Sequence, residues 1–219
     1  IIQNADVILH DALVHPYLVF EINPLAKKIF VGKRKDKHSV RQENIHSIMV
    51  EEAKKGKIVV RLKGGDPFIF GRGGEEVMAL AEDGVKFEVI PGVTAGIGAA
   101  AGFGIPLTHR DDATSVLFIT GHQCKTAKTQ DWNILAKLNS TLVFYMGTRR
   151  LSEIVLSLLE NGKSKDTSIA IVQNATLKSQ KIFTSDLDSI LSELKEDQTL
   201  TPAIIIIGDV IKHYNQIQD

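Results

Sequence analysis

The feature that most constrains the fold is the alternation of short β-rich runs with helical patterns along almost the whole chain. The runs are bounded by Gly, Pro or charged residues and predict strands at residues 5–9, 28–32, 58–62, 85–90, 115–120, 141–145, 168–172 and 203–207. Between them, apolar residues recur at helical spacing, as at Leu151, Ile154, Val155, Leu158 and Leu159, and again at Leu187, Ile190, Leu191 and Leu194. Capping-box spacing at Ser39 and Gln42 predicts another helix start. The alternation predicts an α/β protein with mostly parallel sheets.

A boundary between two domains is predicted in the stretch GFGIPLTHRDDAT, residues 102–114. Gly102 and Gly104 favour the end of a helix, Pro106 prevents its continuation, and a polar segment leads into the next strand. The sequence therefore predicts two α/β domains, residues 1–107 and 108–219.

Composition limits the classes of partner and compartment. Lys plus Arg and Asp plus Glu number 26 each, so no net charge attracts nucleic acid or an anionic membrane, and no apolar run is long enough to span a bilayer. The single cysteine, Cys124, excludes an internal disulfide and favours a reducing, cytoplasmic setting. No Cys/His cluster has metal-ligand spacing, so no metal is predicted. The chain opens IIQNADVILHD, without Met, which suggests a beginning further upstream.

The loop in VRLKGGDPFIFGRGGEE, residues 60–76, is the first candidate site. Gly64 and Gly65 follow a strand's carboxyl end, where ligands of open α/β sheets bind, and glycine lets the backbone approach a ligand closely. Pro67 pushes Asp66 into an extended conformation. The simpler alternative for this loop is a tight turn capped by Asp66. For Glu75 and Glu76, the alternative is that these acids complement the dipole of the next helix.

A second glycine-rich stretch, VIPGVTAGIGAAAGFGIP, residues 89–106, also reads as strand, turn and helix. GIGAAA, residues 96–101, fits the G-x-G-x-x-A dinucleotide pattern, but the next strand ends FITGH, without the acid that pattern requires. Thr94 is a good N-cap. The chain has no G-x-x-x-x-G-K-[ST] pattern, which argues against a P-loop nucleotidase.

Asp11, Lys33, Asp66 and Thr94 all follow predicted strands and could converge on one crevice. For Lys33 and its charged neighbours the alternative is a solvated basic loop. For His109 and Arg110 it is an ordinary linker.

Five stretches then carry a resemblance to a family: ADVILHDALV, VGKRKDKHSVRQENI, VRLKGGDPFIFGRGGEE, IPGVTAGIGAAAGFGIPLTHR and FYMG. In this order and spacing they resemble uroporphyrinogen-III C-methyltransferases, over essentially the whole chain. The resemblance implies a cytoplasmic homodimer that uses S-adenosylmethionine to methylate two ring carbons of uroporphyrinogen III. The product, precorrin-2, feeds sirohaem, cobalamin or haem d1 synthesis. The resemblance also implies two α/β domains with the cofactor in the cleft between them.

The resemblance also implies roles for individual residues. Asp11 would accept a proton and Lys33 donate one, with Glu75 a rival base. Substrate carboxylates would meet Arg72, His109 and Arg110. The implied cofactor contacts are Gly64, Gly65, Asp66, Ile69, Thr94, Ala95, Met146 and Ala175.

Three departures from the family's pattern are visible. Ala12 stands where many relatives have Arg, Ala175 stands where many have Gly, and the family's first strand and its Gly-Pro-Asp loop would precede Ile1. Two other readings stay open: a precorrin methyltransferase that acts later in cobalamin synthesis, and a tetrapyrrole-binding or carrier protein without catalysis.

Overall fold

A computed structural model describes residues 1–32, 41–122, 130–194 and 200–218. Within these ranges the chain divides into two compact units, Ile1–Thr94 and Ala95–Asp219. The division falls before the boundary predicted after residue 107. The reason is that the helix beginning at Ala95 packs on the second unit, where the N–H of Gly96 donates to the Tyr145 hydroxyl at 2.7 Å.

The first unit is built on a three-stranded parallel sheet of order β2-β1-β3. All four residues of β1 are buried, as expected for the central strand of a parallel sheet. One face packs Val7 and Leu9 against Ile45 and Met49. The elements are β1 (Val7–His10), β2 (Lys27–Phe30) and β3 (Val59–Leu62), with α1 (Pro16–Phe20), α2 (Gln42–Lys54) and α3 (Gly73–Glu82), after a 3₁₀ turn at Ile2–Asn4.

The second unit is built on a five-stranded mixed sheet of order β4-β5-β8-β6-β7. Only the β4–β5 pair is parallel; β8 runs antiparallel to both β5 and β6, and β7 antiparallel to β6. The strands are β4 (Val116–Thr120), β5 (Thr141–Tyr145), β6 (Ser168–Gln173), β7 (Lys181–Asp186) and β8 (Ala203–Ile207). The helices are α4 (Ala95–Gly102), α5 (Trp132–Lys137), α6 (Leu151–Glu160), α7 (Ile190–Glu193) and α8 (Ile211–Gln218), with a 3₁₀ turn at Thr148–Arg150.

Alternate residues of the second sheet supply two separate cores. Phe144 and Ile205 face one core, which Leu158 of α6 joins. Val143 and Ile206 face the other, with Ala99 of α4. The apolar face predicted for α6 is confirmed, since Leu151, Ile154, Val155 and Leu158 all lie in the first core.

The predicted α/β class is confirmed, with a parallel first sheet and a mixed second one. The predicted strand at residues 85–90 is wrong: no described strand pairs with it, and Phe87 and Ile90 are about half exposed, at 48% and 49%. A β-rich run becomes a strand only where a neighbour satisfies its backbone. The helix predicted from Leu187 to Leu194 shortens to α7, because the Asp186 carboxylate accepts from the Ser189 N–H and forms a turn first.

The helix predicted near Ser39 is confirmed as α2, but it begins later than the capping-box spacing predicted, at Gln42, with Arg41 as its N-cap. Ser39 itself lies outside the described residues. No helix in the described part of the chain combines the length and apolar character that crossing a membrane requires.

Candidate functional site: the carboxyl edges of the two sheets

Asp11 stands at the carboxyl edge of the first sheet, where β1 and β3 end. Its Oδ1 accepts a hydrogen bond from the Leu13 N–H at 2.9 Å, and its Oδ2 lies 3.7 Å from Nη2 of Arg61 on β3. The side chain is 29% exposed. Two contacts therefore orient a carboxylate that a ligand can still reach, which is the geometry a general base needs.

A buried charge cluster lies beneath this edge. Glu76 of α3 is only 4% exposed, and its carboxylate binds Nε of Arg61 at 3.1 Å and Nζ of Lys63 at 2.8 Å. The amide of Gln42 donates to it as well, at 3.2 Å. Burial lowers the pKa of Lys63, and its ion pair with Glu76 opposes that change. We name Arg61, Lys63 and Glu76 the Glu76 cluster.

The Glu76 cluster connects the first sheet to Asp11 and to the glycine-rich loop after β3. Arg61 reaches Asp11 with one guanidinium nitrogen and donates with another to the Leu62 carbonyl at 2.8 Å. Lys63 donates to the Gly71 carbonyl at 2.6 Å. The cluster thus fixes Asp11 and the glycine-rich loop relative to each other.

Glu75, the predicted rival base, lies instead on the exposed side of α3. Its carboxylate forms a two-pronged ion pair with Arg72, with Nε–Oε1 2.9 Å and Nη2–Oε2 2.5 Å. This hydrogen bonding lowers the pKa of Glu75 and raises that of Arg72. Because Arg72 already binds both oxygens of Glu75, the geometry favours Asp11 over Glu75 as the base.

Asp66 ties the glycine-rich loop together. One oxygen accepts from the N–H groups of Phe68 and Ile69 at 2.9 and 3.2 Å, and the other accepts from Gly92 at 3.1 Å. These backbone hydrogen bonds, that from Gly92 foremost, lower the pKa of Asp66. Asp66 therefore has the capping role that the sequence allowed, and it also binds the loop that contains Gly92.

The protein's own packing explains several of the glycines. A Cβ on Gly71 or Gly73 would lie 2.5 Å from the Pro67 carbonyl oxygen, and one on Gly64 would lie 3.1 Å from Leu13. Phe70 and Arg72 adopt left-handed backbone angles, with φ of 54° and 58°. The result is a tightly folded loop that leaves Phe68, Ile69 and Phe70 exposed by 55%, 36% and 39%.

Met146 and Ala175 both lie at the carboxyl edge of the second sheet, after β5 and β6, which are separated by β8. β5 and β6 both run antiparallel to β8, so their carboxyl ends lie at the same edge: Tyr145 is paired with Ile204, and Gln173 with Ala203. Met146 follows β5 with φ of 55° and is 55% exposed. Ala175 lies in the turn after β6, between Asn174 and Thr176, which both have positive φ.

Ala95 is brought to the same edge by Tyr145. The Tyr145 hydroxyl accepts from the Gly96 N–H, and a Cβ on Gly96 would lie 2.6 Å from that oxygen. The first turn of α4 therefore packs against the side chain of Tyr145, the last residue of β5. Thr94, the predicted N-cap, is 4% exposed.

The remaining predicted site residues are placed differently. Lys33 lies outside the described residues. His109 Nδ1 is 3.0 Å from the Asp112 carboxylate, and Arg110 is exposed. The sequence missed Arg61, Lys63, Glu76 and Tyr145. The available signal was RLK at the end of β3, since a strand within a sheet seldom carries two cations without buried partners.

The fold and the two glycine-lined edges define a class of protein, the α/β methylases of tetrapyrroles. The chain belongs to the family Tetrapyrrole (Corrin/Porphyrin) Methylases, whose model matches residues 1–191. The methyltransferase class expected from the sequence is confirmed.

Among the relatives, a siroheme synthase of Actinobacillus pleuropneumoniae is 49% identical over 96% of this chain and 43% of its own length. The siroheme synthase of Zymomonas mobilis is also 49% identical, over 95% and 44%. The chain thus spans less than half the length of these relatives.

Two solved structures are similar throughout. Uroporphyrin-III C-methyltransferase of Thermus thermophilus, complexed with S-adenosylhomocysteine, has a TM-score of 0.81 at 33% identity and matches 97% of this chain and 89% of that one. A cobalt precorrin-4 methyltransferase of cobalamin biosynthesis has a TM-score of 0.83 at 26% identity, over 96% and 86%.

Proposed function

We propose that this chain transfers methyl groups from S-adenosylmethionine to two ring carbons of uroporphyrinogen III and forms precorrin-2, for sirohaem or cobalamin synthesis. The observation that carries the proposal is the oriented, reachable carboxylate of Asp11 beside Arg61, on a chain that matches the Thermus enzyme over 97% of its length. The C-methylation of a pyrrole requires that a ring proton be removed, and a positioned carboxylate does this.

The exposed groups at the two carboxyl edges fit the cofactor chemically. Ile69 and Met146 present apolar side chains to solvent, at 36% and 55% exposure, and an adenine ring and a methylthio group need such surfaces. The close-packed glycines bring backbone N–H and C=O groups within reach of ribose and amino-acid groups. We propose Gly64, Gly65, Asp66, Ile69, Thr94, Ala95, Met146 and Ala175 as the contacts. When bound, the cofactor supplies the methyl group from its sulfonium centre.

The remaining polar residues are proposed to transfer protons or to bind substrate carboxylates. Asp11 accepts the ring proton, and Lys33 donates one. Arg72 holds a substrate carboxylate bidentately once it leaves Glu75, which is an exchange of one charge-assisted pair for another. Arg110 is exposed and can serve as a second anchor. His109, already engaged by Asp112, is a weaker anchor.

The test is an anaerobic assay of the purified chain with uroporphyrinogen III and methyl-labelled S-adenosylmethionine. We expect a product heavier than the substrate by two CH₂ units, because each methyl group gained is accompanied by the loss of one proton, and with a changed absorbance spectrum. If no label is incorporated while S-adenosylhomocysteine still binds in calorimetry, the proposal fails.

The likeness to the cobalt precorrin-4 methyltransferase, with a TM-score of 0.83, supports a second candidate. A later precorrin methyltransferase would share the cofactor site and methylate another carbon. The same assay with a precorrin in place of uroporphyrinogen III distinguishes the two: label transfer to the precorrin alone would select the second candidate.

We also propose that the chain acts as a homodimer in the cytoplasm. The family resemblance supports both, and the single cysteine fits a reducing compartment. Light scattering on a size-exclusion column measures the mass in solution, and a monomer at working concentration would contradict the dimer.

A further inference from the structure

Two side chains of one turn, His109 and Asp112, meet a third, His213, which is 101 positions from Asp112 in the sequence of the second unit. His109 Nδ1 lies 3.0 Å from Oδ2 of Asp112, and His213 Nε2 lies 2.5 Å from the same oxygen. The three ligand-type atoms all lie within 4.8 Å of one another. In the described part of the chain this is the one group of its kind.

The backbone holds two of the three residues rigidly. The His109 N–H donates to the Ala113 carbonyl at 2.8 Å, and the Ala113 N–H donates to the His109 carbonyl at 3.0 Å. These two hydrogen bonds close a tight turn that contains Asp112. His213 comes from α8, whose first residue, Ile211, is fully buried. The group therefore joins a short rigid turn to an anchored helix.

The two imidazole rings lie close together in this group. Their centroids are 4.1 Å apart at an interplanar angle of 36°. The backbone N–H of Asp111 donates to His109 Nδ1 at 3.3 Å. Both rings turn one nitrogen to the same oxygen of Asp112, Nδ1 of His109 and Nε2 of His213.

We propose that His109, Asp112 and His213 bind a divalent first-row transition-metal ion, of the type of Zn²⁺, that clasps α8 to the turn at residues 109–113. Two imidazole nitrogens and one carboxylate oxygen are ligands that this class of ion takes at about 2.0–2.2 Å. Ligand atoms around a tetrahedral ion stand about 3.4 Å apart, so small side-chain rotations open the present spacing. Each side chain is about one-third exposed, at 34%, 28% and 29%, which leaves space for water as a further ligand.

The proposal does not rest on the methyltransferase function, and its test has no activity readout. Tag-free protein, freed of metal with a chelator, is titrated with ZnCl₂ in a calorimeter and with CoCl₂ in a spectrophotometer. We expect one equivalent of Zn²⁺ to bind, and Co²⁺ to give the visible absorption of a four-coordinate site. We also expect Zn²⁺ to raise the Tm, because the unfolded chain does not hold the ligands together.

Asp112→Asn and His213→Gln should each weaken binding at least tenfold, whereas His122→Gln, an exposed histidine of the same unit, should change nothing. Because a variant can fail for other reasons, the wild-type protein is also followed by NMR. Of its seven histidine ring signals, those of His109 and His213 should shift on zinc addition. The proposal is overturned if no stoichiometric binding occurs, if both variants keep the wild-type affinity, or if other histidines shift instead.

Discussion

The carboxyl edges of the two sheets are built on different principles. The first is organised by charge, because Asp11 and Glu76 stand next to Arg61 and Lys63. The second is organised by close backbone packing: a Cβ on Gly121 would lie 2.4 Å from the Gly147 Cα, and one on Gly96 would meet Tyr145. We propose that the first edge performs proton transfer and that the second supplies the shape of the binding surface. Substitutions at the two edges should therefore fail in different ways.

The largest expected effect is that of Asp11→Asn on turnover. An amide keeps the shape and the hydrogen bond from Leu13 but cannot take a proton, so kcat should fall about 100- to 10,000-fold. Calorimetry with S-adenosylhomocysteine should give a nearly unchanged Kd. Asp83→Asn, at an exposed pair with Lys54, is the matched control and should leave kcat unchanged. Normal turnover by Asp11→Asn would assign the base to another residue.

The next effect compares neighbouring acids of α3. Glu76→Gln leaves two cations of the Glu76 cluster without their buried partner, which should cost about 3–5 kcal/mol of unfolding free energy. Glu75→Gln breaks only an exposed pair and should cost about 0–1 kcal/mol. Urea unfolding followed by circular dichroism measures both. Hydrogen exchange should quicken at β1 and β3 in Glu76→Gln; equal effects of the two changes would contradict the charge-organised description of the first edge.

The sequence predicted the second sheet better where its strands are continuous apolar runs. The bounds of β5 and β8 were predicted to the residue, because such runs fit only buried strands. β7 was missed because KIFTSD mixes polar and apolar residues, and it becomes a strand only by pairing with β6. In the same way, the run at residues 85–90 has strand composition and no described partner. Pairing is a tertiary property that local pattern does not contain.

For the site, the strand pattern predicted Asp11 as a candidate because it directly follows a strand, whereas Met146 came only from the family resemblance. It treated Glu75 and Glu76 alike, because adjacent acids in a first helical turn both suit the helix dipole. Only packing distinguishes them: one faces solvent with Arg72, and the other faces β3. The group of His109, Asp112 and His213 was equally invisible, since His213 is 101 positions from Asp112.

At the second edge, Gly96→Ala should act through shape alone. The new Cβ would meet the Tyr145 hydroxyl and push the first turn of α4 away from β5, which should cost about 1–3 kcal/mol. Gly102→Ala, at the other end of α4, is the control: its Cβ would meet only the flexible end of Gln180 at 3.2 Å. Urea unfolding monitored through Trp132 fluorescence compares the two. Binding of S-adenosylhomocysteine should weaken in Gly96→Ala only; an unaffected Kd would remove this turn from the proposed cofactor contacts.

The smallest effect uses pH to separate the two edges. Hydrogen bonds from backbone N–H groups hold the pKa of Asp66 below its usual 3.8 in the folded protein, so the folded state binds this proton less readily than the unfolded state. The resulting stability is present above pH 3.8 and is lost as the pH falls through the lowered folded pKa. Asp66→Asn should therefore cost about 1 kcal/mol near neutral pH.

The difference in unfolding free energy between the wild type and Asp66→Asn should then stay constant above about pH 5 and shrink as the pH falls through 3.8 and below. Gly96→Ala, by contrast, changes a contact between a glycine and a tyrosine hydroxyl, which does not titrate in that range. Its difference from the wild type should stay constant over the same urea series. A constant difference for Asp66→Asn, or a shrinking one for Gly96→Ala, would show that charge and shape are not divided between the two edges in this way.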